Sequence, residues 1–248
     1  MSDVATEEKA APDPELEELF SAGLHFAYAR TRRHPRMLPF IAGVKSNIEV
    51  FHADKIRDQL LSALGFIESL GSSGDTILWV GTKPSAALAV RDVAEALGHP
   101  YVDTRWLGGT LTNFKIIRER ISYWEDLIAK QKSGELGKYT KQEQIRIQKD
   151  IERMARGFHG IAKLTAMPQA IFIVDSKEEA NALREARQKR VPVIALINSD
   201  CDPENITHPI PGNDNSSKSI RYVLEKARDA YLAGKKLSAQ KNNGHENA

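Results

Sequence analysis

The sequence predicts an α/β protein: a doubly wound parallel sheet flanked by helices, with an inserted antiparallel coiled-coil helical hairpin. Three observations predict it. Short apolar runs bounded by turn residues recur at 76–80, 170–174 and 193–197, the pattern of strands buried on both faces. Segments of helix length follow them at 84–97 and 178–189, and such alternation produces a parallel sheet with right-handed crossovers. Between the two series, residues 113–166 abandon that rhythm for heptads.

Taken in order, residues 1–18 form an acidic arm, with seven acidic residues against the single Lys9, and low hydrophobicity with high charge leaves such a segment flexible. A short helix is expected over 16–29, a strand over 47–51 where apolar residues alternate, and a helix over 54–70 that Gly71-Ser72-Ser73-Gly74 interrupts. The strand at 76–80 leads to Pro84, which suits the first turn of a helix, and Gly98 ends that helix before an extended piece at 100–102. Gly108 and Gly109 then make a hinge, and Thr112 and Asn113 are candidates to cap the helix that follows.

In the middle segment Phe114, Ile117, Ile121, Trp124 and Ile128 are spaced 3, 4, 3 and 4, and Ile147, Ile151, Met154, Phe158 and Ile161 are spaced 4, 3, 4 and 3. Two such seams separated by the turn-forming Ser133 to Gly137 describe helices that zip antiparallel to each other. The second α/β series follows: strand 170–174, helix 178–189, strand 193–197, a short strand near Ile210 and a helix over 215–232. The division of the chain is thus a flexible acidic arm at 1–18, a discontinuous α/β domain at 19–112 and 167–232, the hairpin at 113–166, and a flexible polar tail at 233–248.

Composition narrows the function. Of the net charge of +2, the first 18 residues contribute −6, which leaves +8 on the other 230. A single Cys201 forbids an intramolecular disulfide and a cysteine-based zinc knuckle, and fits a reducing compartment. No apolar run is long enough to span a bilayer, and an acidic start is the opposite of a signal peptide.

Enzyme readings fail on site chemistry. Gly81-Thr82-Lys83 leaves a strand and opens a helix, where free amides attract anions, yet neither the spacing of a Walker loop nor that of a dinucleotide fold is present. Gly71-Ser72-Ser73-Gly74 precedes its strand, whereas a nucleophile elbow sits at a strand's exit. Cys201, Asp202 and His208 lie close in sequence without metal-ligand spacing. Asp175 and Asp214 suit helix capping, so no catalytic residue, metal site or cofactor is expected. The rival from another class is a nucleotide- or sugar-phosphate-handling enzyme using Lys83 and Asp175 at the carboxyl edge of the sheet.

The cations say more. Arg30, Arg32, Arg33 and Arg36 fall within seven residues without an acid, interleaved with His34 and preceded by Tyr28. Guanidinium forks bind phosphate and stack on bases, and Pro35 and Pro39 are expected to keep the stretch extended. Arg105 and Trp106 pair a cation with a flat aromatic surface, although a Trp beside Gly-Gly also packs over a turn. The hairpin carries eleven basic and seven acidic residues between Arg118 and Lys163.

Four ordered motifs carry a family resemblance. Arg105 to Phe114, reading RWLGGTLTNF, resembles the linker of the bacterial small-subunit ribosomal protein S-two family. Ala22-Gly23-Leu24-His25-Phe26 with Thr31-Arg32-Arg33 and Pro35-Arg36-Met37-Leu38-Pro39 resembles its opening motif, with Ala27, Tyr28 and His34 departing from the usual glycine, histidine and aromatic residue. Residues 168–192, with Asp175, Glu179, Leu183 and Glu185, resemble its second signature, and Cys201-Asp202-Pro203 and Ile210-Pro211-Gly212-Asn213-Asp214 match near the end. Gly108, where archaeal and eukaryotic relatives usually carry proline, favours a bacterial or organellar member.

The resemblance implies a structural component of the small (30S) ribosomal subunit in the cytoplasm, bound to 16S rRNA and neighbouring ribosomal proteins. The large mRNA-binding protein S-one is an implied neighbour; a membrane and a small-molecule substrate are not. Candidate RNA contacts on the body are Arg30, Arg32, Arg33, Arg36, Lys45, Arg105 and Trp106. Those on the hairpin are Asn113, Lys115, Arg118, Lys141, Arg146, Lys149 and Arg153.

Overall fold

A computed structural model describes residues 14–245. The expected acidic arm thus lies outside the described residues except for 14–18, which are helical. Helix α1 (Pro14–Ala22) is shorter than expected because Gly23, at φ 72°, turns the chain out of it. Residues 25–28 instead run beside a strand: Ala27 N–H donates to the Glu49 carbonyl, Glu49 N–H to that of Tyr28, and Phe51 N–H to that of His25.

Two antiparallel strands follow, β1 (Ile41–Lys45) and β2 (Ile48–Phe51), joined by Ser46 and Asn47 at φ 50° and 66°. Both turn residues are left-handed, as a two-residue hairpin of matching twist requires. The sequence reading missed β1, whose Ile-Ala-Gly-Val-Lys lacks an alternating pattern.

Helix α2 (Ala53–Ser73) buries Ile56, Leu60, Ala63, Ile67 and Leu70, one face at helical spacing. It runs through Gly71 and ends only at Gly74 (φ 72°), whose N–H reaches the carbonyls of Leu70 and Gly71. Gly71 serves contact instead of termination: a Cβ there would lie 2.1 Å from the Tyr231 carbonyl oxygen.

The main sheet uses β3 (Ile77–Val80), β4 (Tyr101–Val102), β5 (Ala170–Val174), β6 (Val193–Ile197) and β7 (His208–Pro211). Its order is β4-β3-β5-β6-β7 with every pair parallel. Every residue of β3, β5 and β6 is buried, which explains their unbroken apolar runs. Trp79 of β3 stacks on Phe172 of β5 with centroids 5.0 Å apart, and its indole N–H donates to His99 Nδ1. Burial and then Lys235 push His99 down to about 4, so the ring stays a neutral acceptor.

Helix α3 (Pro84–Leu97) connects β3 to β4, and α6 (Ala180–Gln188) connects β5 to β6 in the opposite direction. Right-handed crossovers put these helices on opposite faces of the sheet. Helix α7 (Ser217–His245) packs on α2 and α3 and completes one layer. It continues to His245, well beyond its expected end at 232, and the flexible tail expected from 233 is helical that far. Gly234 permits this by letting α7 touch α2: a Cβ on it would meet the Glu68 carbonyl oxygen at 1.9 Å. The N-terminal helix closes onto α7 through Lys218 Nζ donating to the Ser21 carbonyl (2.6 Å), Ser219 Oγ to that of Ala22 (2.7 Å), and a Lys226–Glu18 ion pair at 2.8 Å.

Between β4 and β5 stand α4 (Phe114–Lys132) and α5 (Lys141–Phe158), joined through a 3-10 turn at Glu135–Lys138. They run antiparallel, with Gln131 bonded to Gln148, Trp124 Nε1 to the Ile151 carbonyl, and Arg118 to the Ala162 carbonyl. Ile117, Ile121, Trp124 and Leu127 of α4 are buried with Ile151 and Phe158 of α5. Thr140 caps α5 in a reciprocal box with Glu143, satisfying amides that the helix itself leaves open.

Candidate nucleic-acid interface

The hinge that joins the helix pair to the sheet is organised by one carboxylate. Glu185 of α6 is 9% exposed. Its Oε1 accepts from Trp106 Nε1 (2.9 Å) and Gly109 N–H (2.8 Å), and its Oε2 from the Leu111 N–H, the Thr112 N–H and the Thr112 hydroxyl, each at 3.0 Å. Gly109 reaches its place at φ 93°, closed to other residues. Burial would raise the Glu185 carboxyl, but the bonds from Trp106, Thr112, Gly109 and Leu111 outweigh it and hold the group below its usual value. The returning end is tied separately, by Tyr101 N–H to the Gly160 carbonyl (2.9 Å) and the Thr104 hydroxyl to the Arg156 carbonyl (2.8 Å).

This latch bears on three expectations. Trp106 is 8% exposed and spends its N–H on Glu185, so its indole nitrogen is committed to the linker. Thr112 also serves Glu185, and Asn113, at the N-cap position of α4, makes no side-chain cap bond. The signal for Glu185 lies in its spacing: with Ala182 and Ala186 it occupies the buried face of α6, where a charged residue must be matched by donors.

The arginine cluster divides by partner. Arg33 pairs at 2.6 Å with Glu49, which is fully buried, and that contact is internal scaffolding. Arg36 pairs with Asp202 at 2.8 Å and with Glu204. Arg32 lies over the Tyr28 ring, 4.4 Å from its centroid, with its own surface exposed, and Arg30 and Lys45 are exposed as well. The stretch is not extended: Arg30–Arg32 and Pro35–Phe40 are 3-10 turns, each proline being compatible with that backbone. Arg105 is exposed at the linker.

On the helix pair, Lys115, Lys141, Arg146, Lys149 and Arg153 are exposed, with Arg153 also near Asp150 at 2.8 Å. Arg118 instead donates to the Ala162 carbonyl at 2.9 Å and closes the base of the pair. Of the candidate cations read from the sequence, Arg30, Arg32, Lys45 and Arg105 on the body and the five exposed residues on the pair are therefore open to a polyanion.

The carboxyl edge of the sheet, where an enzyme of this architecture would work, is occupied by the chain's own groups. Lys83 pairs with Asp175 and lies 3.6 Å from Asp214, and its Nζ also donates to Asn215. Burial opposes charge on Lys83, but the bond to Asp175, with Asp214 near, prevails and raises its pKa. Thr82 N–H, the amide a phosphate would seek, donates to Glu179 at 2.7 Å. Asp175, at φ 66°, caps the turn after β5 by accepting from the Lys177 and Glu178 N–H groups. Asp175, Cys201 and Asp214 bring ligand-type atoms within 4.8 Å of one another, but the Lys83 ammonium already serves that cluster as its cation. Burial pushes the Cys201 thiol up to about 12, so it is inert.

Asp214 is fully buried, and burial, followed by the charge of Asp175, pushes it up to about 6 from an ordinary 3.8. A carboxyl raised on folding binds its proton more tightly in the native state, so its contribution to stability falls as pH rises from about 4 to about 6 and is level above. Asp214→Asn keeps an oxygen for the Asn198 amide, which donates to Asp214 at 2.9 Å. That variant is expected to lack this decline, and thermal melts of both proteins at intervals between pH 4 and 7 check it.

Residues 19–234 match the family model described as Ribosomal protein S2. The chain is 42% identical over 217 residues to the small ribosomal subunit protein uS2 of Thermus thermophilus, covering 88% of this chain and 85% of that one. It is 37% identical over 220 residues to the protein of the same name from Coprothermobacter proteolyticus (89% and 82% covered), and 34% identical over 231 residues to that from Nitratiruptor (93% and 86%).

Proposed function

Since the chain belongs to the ribosomal protein S2 family and is a structural constituent of the small ribosomal subunit, we propose that it grips rRNA at two separated basic surfaces. One is the body surface of Arg30, Arg32, Lys45 and Arg105; the other is the exposed cation row of the α4–α5 pair. The single observation that supports this reading is the division of the cations: those named are exposed, whereas Arg33 and Arg118 are spent inside the protein. Two tethered contacts raise affinity through effective concentration without a large area at either. Phosphate contact carries most of such binding, and catalysis has no part in it. Neighbouring subunit proteins complete the environment, and the mRNA-binding protein S-one is proposed among them.

The test is association of the native protein with small-subunit rRNA and assembled subunits. Binding should be lost on RNase treatment, and log affinity should fall against log salt with a slope of roughly −4 to −5 if about six phosphates are neutralised. Replacing Arg30, Arg32 and Lys45 together by Ala should lower affinity about tenfold or more and make the slope shallower by two to three, each cation counting for about one phosphate. Arg33→Ala should instead lower the melting temperature, because it strands the buried Glu49. An unchanged slope in the triple variant would remove those residues from the interface.

A further inference from the structure

We propose that the cleft between the linker and the turn before α6 takes a guanine nucleotide, presented by an unpaired residue of an RNA strand, with its phosphate on Arg105 and Arg184 and its base edge on Glu179. The inference rests on the RNA-binding reading above and adds base selection to it.

The cleft measures about 600 Å³, inside the range of roughly 300–1,000 Å³ in which proteins hold small ligands. Thr82, Arg105, Trp106, Glu178, Glu179 and Arg184 are among the residues that line it. It opens beside the carboxyl ends of β3 and β5, where the strand order reverses, the position at which sheets of this kind bind ligands. Lys83 and Asp175 are not among its lining residues, so the ion-paired cluster described above does not block it.

Its chemistry is two-ended. At the rim, Arg105 and Arg184 are exposed, and neither has a carboxylate partner among the described residues; Arg184 donates only to Asn181 Oδ1, at 2.7 Å. Deeper in, Glu179 is 3% exposed, with Oε1 taking the Thr82 N–H. Glu185 also borders the cleft, but both its oxygens are committed to the linker. A bare phosphate would meet Glu178 and Glu179 as well as the arginines, and a cation would meet the arginines. The ligand must be anionic at one end and rich in donors at the other.

A nucleotide has that polarity, and among the bases guanine alone presents adjacent ring and exocyclic N–H donors, the pair a carboxylate accepts side by side. Adenine and cytosine set an acceptor beside their amino group, and uracil flanks its one N–H with carbonyls. Good bidentate base contacts discriminate by about 1–3 kcal/mol, or roughly five- to 150-fold.

The experiment measures binding of the full chain, by fluorescence anisotropy, to labelled oligouridine RNA carrying a central G, A, C or U. GMP, AMP and inorganic phosphate are the competitors. The G-containing strand should bind about tenfold tighter than the others, and GMP, but not AMP or phosphate at the same concentration, should displace it. Glu179→Gln, which keeps an oxygen for the Thr82 N–H, should abolish the preference, whereas Arg184→Ala at an exposed position should weaken all strands about fivefold. Equal affinity for the four strands, or a preference that survives Glu179→Gln, overturns the proposal. If small-subunit rRNA binds normally while both variants are silent, the cleft assignment fails and the RNA-binding reading stands. If GMP binds and rRNA does not, the free nucleotide is the ligand and the ribosomal docking surface fails separately.

Discussion

Glu185→Ala should lower stability by about 4 kcal/mol or more, because five donors lose their acceptor at once and buried donors left unpaired cost about 1–3 kcal/mol each. For a chain of this length that corresponds to a fall in melting temperature on the order of 10 °C. The damage should be local before it is global. Amide exchange at Gly109, Leu111 and Thr112 should accelerate far more than at β5 or β6, and Trp106 fluorescence should shift as its indole is released. Glu185→Gln retains one acceptor oxygen and should fall between. The wild-type latch is acid-sensitive: a carboxyl held below its unfolded value stabilises fully above that value, near 4.5, and the contribution disappears as pH drops through the folded value. Loss of stability in acid that is identical in wild type and Glu185→Gln would show that the latch carries none of it. Because the linker sets the angle of the α4–α5 pair to the body, loosening it should also weaken binding to rRNA at both surfaces jointly, as the pre-set spacing is lost.

The second large effect is expected where α2 crosses α7. Gly71→Ala places a methyl group 2.1 Å from the Tyr231 carbonyl oxygen, and Gly234→Ala places one 1.9 Å from that of Glu68. Neither obstacle is a side chain that can swing aside. The helices must separate, loosening the packing of buried residues such as Ile67, Leu70 and Tyr231, and overpacking of this kind costs typically 1–3 kcal/mol and occasionally more. Each substitution should cost about 3 kcal/mol in urea unfolding. Gly65, in the same helix with nothing within 4 Å of its Cβ position, is the internal control. There the gain in helix propensity, about 1 kcal/mol at most, should appear unopposed. If Gly71→Ala stabilised as Gly65→Ala does, the close crossing would be refuted.

The same two glycines explain what sequence reading could and could not reach. A glycine in a helical pattern signals either a terminus or a close approach, and at Gly71 and Gly234 the sequence does not distinguish them because the partner backbone lies about 160 residues away in the chain. The buried strands were legible, since Ile77–Val80, Ala170–Val174 and Val193–Ile197 are apolar without interruption. Strand β1 was not, because its residues are largely exposed and its identity depends on pairing across the Ser46-Asn47 turn. At the candidate interface, charge and spacing identified the arginine cluster but could not assign partners: Arg33 and Arg32 are one residue apart, and only the buried Glu49 separates a scaffold residue from an exposed one. The partner of Trp106 is hidden in the sequence for a related reason. An aromatic beside a cation looks the same in sequence whether it faces solvent or a buried glutamate on α6.

The closure of α1 onto α7 governs when the protein can finish folding during its own synthesis. Ser21 and Ala22 find their partners in Lys218 and Ser219, 197 residues later. At roughly 5–20 residues per second, the first helix emerges about 10–40 seconds before the residues that cover it have been made. Through that interval Leu19 and Ala22, buried in the finished molecule, have no C-terminal helix to pack on. The sheet can assemble strand by strand as it appears, but α1, made before every strand of it, gains its bonds to α7 only after the last strand has been made.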